Sequence, residues 1–149
     1  MTYRVSRTST IDAPAHQVYN IIADYRDGHP HILPPAYFSG LAVEKGGVGD
    51  GTIVRFSMHI AGRKRCFRSA ITEPSAGRVL VETEVDSGAR TAFTVIPSGE
   101  GSSIVTITSE LRGRTGFAGT VERILTSSFL KRVYLLELRR LSSFIRDDA

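Results

Sequence analysis

Apolar and polar residues alternate with period two through most of this chain and switch to helical spacing twice, once near the start and once at the end. Residues 3–11 alternate and stop at Asp12-Ala13-Pro14, which predicts a first strand. Pro14 suits the first turn of a helix, where its missing N–H costs nothing. Val18, Ile21, Ile22 and Tyr25 follow at i, i+3, i+4 and i+7, so a helix is expected over 14–26. The stretch from Asp27 to Pro35 is too rich in proline for a strand and predicts a rigid corner with a short helical turn. Alternating runs then recur at 38–45, 52–60, 64–73, 78–85, 90–97 and 103–111, separated by turns rich in Gly, Ser and Asp. Connections this short allow only antiparallel neighbours, because a parallel crossover needs about a dozen residues.

The last periodic segment, 117–146, has no proline and carries Leu130, Tyr134, Leu138, Leu141 and Ile145 as one stripe. Such a helix spans about 45 Å, against about 25 Å for the strands before it. It therefore has to cross a sheet, and a sheet curved around it leaves a hollow between the two. Phe117, Val121, Ile124 and Leu125 cluster in another direction, roughly half a turn away. That predicts a bend near Thr126-Ser127-Ser128, with the first part capping an opening. The alternative is a continuous helix buried nearly all round.

Strand parity assigns the inner face. Val54, Phe56, Met58 and Ile60 fall on one parity, followed by Phe67, Ser69 and Ile71, with Arg65 at their head. Val79, Val81, Thr83 and Val85, then Phe93 and Val95, then Val105, Ile107, Ser109 and Leu111 continue it. Glu82 and Glu84 then fall outside with Leu80, which disfavours a carboxylate pair for acid–base work. Cys66 is also placed outside. On this reading the interior holds scarcely a titratable group.

Composition narrows the classes. A length of 149 residues is one domain spanning 1–149, and 41% hydrophobic with 23% charged residues is ordinary for a globular protein. The polar start lacks the apolar stretch of a signal peptide, no segment approaches the ~20 apolar residues of a membrane span, and a single cysteine fits a reducing compartment. A cytoplasmic protein without integral membrane association is expected. Lys and Arg total 19 against 15 acidic residues, but the cations are scattered and lack interleaved aromatics, so nucleic acid is not an expected partner. The glycine-rich turn at 46–51 joins two strands and opens no helix, which excludes a dinucleotide fingerprint. His29 and His31 stand without companions at metal-ligand spacing, so neither metal nor cofactor is expected.

Ile11-Asp12-Ala13-Pro14, followed by Val18-Tyr19, Ile21-Ile22 and Asp24, resembles the opening of the START-like or Bet v 1-like (SRPBCC) superfamily, the group of polyketide cyclase/dehydrase and lipid transport proteins. The glycine-rich turn and the long terminal helix match the same pattern, so the resemblance covers essentially the whole chain. It implies an α+β helix-grip fold: a seven-stranded antiparallel sheet wrapped around the C-terminal helix, short helices after the first strand, and an internal cavity for an apolar ligand. It also implies an entrance near the first helix. Members include carriers, receptors and cyclases, so the fold leaves function open.

On that frame the expected ligand-binding residues are Tyr25, His29, His31, Tyr37, Phe56, Met58, Phe67, Ser69, Val81, Phe93, Val95, Val121 and Leu125. Arg7 shares the parity of Val5 and Ile11, and if inward it needs an anionic partner. Because the inner parity carries so few acids and bases, binding or carriage of a hydrophobic small molecule (lipid, polyketide or aromatic compound) is the favoured function. The alternative is a polyketide cyclase/dehydratase-like enzyme with His29 or His31 as acid/base and Arg7 polarising a carbonyl. A protein-interaction module is the third reading. Monomer and homodimer both remain open.

Overall fold

The computed structural model describes residues 1–147. Strand β1 (Thr2–Ile11) is followed by helix α1 (Ala15–Ala23), a 3-10 turn (His29–His31), and strands β2 (Phe38–Lys45), β3 (Ile53–Ile60), β4 (Arg63–Ser75), β5 (Val79–Glu84), β6 (Arg90–Pro97) and β7 (Ser103–Arg112); helix α2 (Gly116–Asp147) closes the order. The strands form one antiparallel sheet in the order β1-β7-β6-β5-β4-β3-β2. From β2 to β7 each strand pairs with the next, as the short turns require, and β1 closes the far edge against β7. The sheet grips α2, and the expected helix-grip α+β fold is the one observed.

The second half of α2 sits where its stripe predicts. Tyr134, Leu138, Leu141 and Ile145 are buried, joined by Val133, against a core that includes Val5, Ile11, Phe93, Val105 and Ile107. Each such side chain contributes about 1.5–3 kcal/mol on leaving water. The expected bend is absent. α2 runs without interruption through Thr126, Ser127 and Ser128. Nor is it buried all round: Phe117, Val121, Ile124 and Leu125 are exposed. The two apolar faces do not conflict, because only the later one packs on the sheet.

α1 is shorter than its apolar spacing suggests. It ends at Ala23, where Asp24 turns to an extended conformation and its carbonyl accepts the N–H groups of Gly28 and His29. The glycine-rich turn after β2 clamps this helix end. Tyr25 N–H donates to the Gly47 carbonyl and Gly49 N–H to that of Ala23. Gly49 has φ +66°, and a Cβ there would strike Glu73 Oε1 at 2.2 Å. The positive φ favours glycine here, and its missing Cβ leaves room for the Glu73 carboxylate of β4.

Candidate functional site

Between the sheet and α2 lies a cavity of about 550 Å³, inside the roughly 300–1,000 Å³ typical of small-molecule sites. Phe56, Met58 and Ile60 of β3, Phe67 and Ser69 of β4, and Phe93 of β6 form its walls, with Leu125, Phe129 and Leu130 of α2 opposite. Tyr25 and His29 line it as well. Five other expected residues lie elsewhere. His31 stacks on Phe144 at 4.6 Å, outside the lining. Tyr37 accepts a hydrogen bond from Arg132 Nε and meets Phe129 edge-on. Val95 is buried in the core, Val121 is exposed on α2, and Val81 falls on the opposite parity of β5. Arg7 pairs in register with Ile107 and is half-buried, but it does not line the cavity.

The parity assigned to β5 from sequence is inverted. Glu82 and Glu84 line the cavity, with Leu80 fully buried on the same parity. Glu84 pairs with Ser69, and Glu82 with Ile71 and Thr91. The physical reason is a register shift between Thr72 and Ser75, which changes the face β5 presents relative to β4. Val-Leu-Val also offers an apolar residue on either parity, so alternation alone did not decide. The interior is accordingly not free of titratable groups. Glu137, from the apolar stripe of α2, completes the set and is only 3% exposed.

These polar groups converge from several elements. The loop after α1 folds under the helix because Gly28 approaches Ile21 so closely that a Cβ would lie 2.4 Å from its carbonyl oxygen. That brings His29 inward, where Nδ1–H donates to the Ile22 carbonyl at 2.7 Å. Only an N–H can satisfy that carbonyl, so the free lone pair of the neutral ring is on Nε2. Nε2 lies 3.6 Å from Glu82 Oε2, which also accepts the Tyr25 hydroxyl at 2.6 Å. Tyr25 stacks on His29 with ring centroids 4.3 Å apart.

Burial sets the protonation states. It lowers the His29 pKa despite the opposing pull of Glu82 and the Ile22 carbonyl, so the imidazole is neutral at neutral pH. Burial, reinforced by the Glu82 charge, raises Glu137 well above the usual carboxyl value. Burial and Glu82 likewise raise Tyr25. Glu137 Oε2 is buried without a hydrogen-bond partner. Beside it Tyr134 pairs with Ser109, whose hydroxyl pairs with Thr91 at 2.7 Å. One cavity thus holds a neutral imidazole, able to accept a proton, and a carboxyl biased towards its acid form. Titratable groups pushed apart in this way are a signature of acid–base sites. Among the described residues, no three His, Cys, Asp or Glu side chains converge to hold a metal ion.

Sequence reasoning missed Glu82, Glu137 and the Thr91–Ser109–Tyr134 chain as site residues. A signal existed for Glu137: it lies three residues after Tyr134 and four before Leu141, a carboxyl inside an apolar stripe.

Residues 2–143 match the family described as Polyketide cyclase / dehydrase and lipid transport. The chain belongs to this family. No curated protein matches it significantly. Among solved structures, the KanY protein in solution is similar at a TM-score of 0.84 and 25% identity, over 98% of this chain and 99% of that one. The Zhui aromatase/cyclase from Streptomyces sp. R1128 aligns at 0.78 and 17%, over 96% and 93%. Norcoclaurine synthase from Thalictrum flavum, in complex with dopamine and hydroxybenzaldehyde, aligns at 0.74 and 16%, over 100% and 89%. The last two likenesses are of fold. The family and this fold support a hydrophobic ligand-binding domain, some of whose members are polyketide cyclases.

Proposed function

We propose that this protein binds a hydrophobic small molecule bearing a carbonyl or phenol and catalyses proton transfer on it, as a cyclase or dehydratase does. The observation that carries this is Glu137, a buried carboxyl with an unpartnered oxygen in the same cavity as the neutral His29. An orphan polar group of this kind costs about 1–3 kcal/mol of stability, and a site that only had to hold an apolar chain would be more stable without it. In a dehydration, His29 Nε2 takes the proton next to a carbonyl. Glu137 protonates the departing hydroxyl, which leaves as water, and solvent returns the two side chains to their starting states. In a ring closure the same proton from Glu137 goes to the attacked carbonyl oxygen. The Glu82 charge favours the imidazolium formed in either case.

The walls favour a second reading. Phe38, Phe56, Phe67 and Phe93 supply apolar surface suited to carriage without chemistry, and the family description includes lipid transport. The two readings separate on a panel of polyketide-type and lipid compounds. His29→Ala and Glu137→Gln should each lower turnover of a β-hydroxy ketone about 10²- to 10⁴-fold while leaving thermal stabilisation by the same compound within a few-fold of normal. Ligand-induced stabilisation with no turnover in the unaltered protein would leave carriage as the function.

A further inference from the structure

The first half of α2 leaves large apolar side chains in water. Phe117 is 86% exposed, Leu125 66%, Ile124 58% and Val121 40%. At 100° per residue all four fall within about a third of the helix circumference, so they form one continuous face. Leu125 also lines the cavity, with Ile60, Ala61 and Arg65 of the β3–β4 hairpin across from it. The exposed lining residues lie here and not beside α1, where Tyr25 and His29 are buried, so the mouth is not at the expected place near the first helix. The apolar face is continuous with this mouth and runs about 12 Å beyond it to Phe117.

Cations surround this face. Arg63, Lys64 and Arg65 are exposed on the hairpin that forms the opposite rim. Arg123 and Lys131 line a shallow groove beside Ile124, together with Arg4, which is paired with Glu110. Of the acids nearby, Glu122 is paired with Arg114 and Glu110 with Arg4, while Glu84 accepts the backbone N–H groups of Asp86 and Ser87. An exposed apolar helix face ringed by cations complements a surface that is negative outside and apolar just beneath. We infer that the first half of α2 and the β3–β4 hairpin dock on an anionic lipid bilayer, so that an apolar ligand passes between membrane and cavity mouth without crossing water. The contact is peripheral, since no helix is long and apolar enough to cross a membrane among the described residues. It rests on the exposed surface and the cavity mouth, and stands or falls separately from the acid–base reading.

Sedimentation of the full chain with vesicles tests it. The protein should bind vesicles of phosphatidylcholine containing about one-third phosphatidylglycerol, bind pure phosphatidylcholine weakly, and dissociate as salt is raised. Phe117→Asp and Leu125→Asp, both at exposed positions, should each weaken partitioning about tenfold or more with melting temperature unchanged. Arg63→Ala and Lys64→Ala should each weaken it roughly fivefold. No binding to the anionic vesicles, or equal binding by Phe117→Asp, overturns the inference. So does a concentration-dependent dimer that Phe117→Asp dissolves in the absence of vesicle binding, which would assign the face to a second copy of the chain.

Discussion

The two ends of the cavity are built on opposite principles. At the polar end, Tyr25, His29, Glu82 and Glu137 are held by the α1 terminus, β5 and the packed half of α2, with close approaches that tolerate no added atom. At the mouth, Leu125, Ala61 and Arg65 come from an exposed helix face and a hairpin tip, and a Cβ on the adjoining Gly62 would meet nothing within 4 Å. Proton transfer depends on fixed donors and acceptors, whereas ligand access needs only an opening. The closest packing lies where the polar groups are.

Substitutions at the two ends should therefore differ in kind. Gly28→Ala forces a Cβ against the Ile21 carbonyl and should cost about 3 kcal/mol, lowering the melting temperature by roughly 6–12 °C. An unchanged melting temperature would show that the polar end is looser than described. Glu137→Met removes the orphan carboxyl and should raise stability by about 1–3 kcal/mol while abolishing turnover. A fall in stability would mean that the carboxyl is satisfied after all.

The same group gives a pH signature. Its folded pKa lies above the ordinary 4.5, so the folded state keeps a proton that the unfolded chain releases. The stability from that proton is complete below about pH 4.5 and declines as pH rises towards the folded pKa. His29 acts in the opposite sense, since its folded pKa is below 6.5 and its stabilisation is lost as pH falls through that range. Chemical denaturation from pH 4 to 8 should show wild type losing stability relative to Glu137→Met as pH rises. Parallel curves would contradict the buried acid form. At the mouth, Leu125→Ser should change stability by no more than about 0.5 kcal/mol, and a larger loss would show that this half of α2 is packed.

Sequence pattern conveyed the strands, the antiparallel pairing from β2 to β7 and the C-terminal helix because each depends on local periodicity and short turns, whereas the pairing of β1 with β7 is long-range and left no such mark. The apolar walls followed from the same parity, as Phe56, Phe67 and Phe93 illustrate. Glu82 escaped because one register shift in β4–β5 inverts a whole strand, and nothing in Val-Leu-Val-Glu-Thr-Glu announces it. His29 was legible as a residue near the cavity, but its tautomer and its contact with Glu82 depend on a steric fit at Gly28. The bend failed for a different reason. Two apolar faces on one helix were read as two burial partners, although one of them stays in water.

The unbroken α2 joins the two ends in a single rod. Phe117 and Glu137 are twenty residues apart, about 30 Å along one stiff axis. Helix continuity through Ser127 and Ser128 thus leaves no break between the outer turns and the turn that carries the carboxyl.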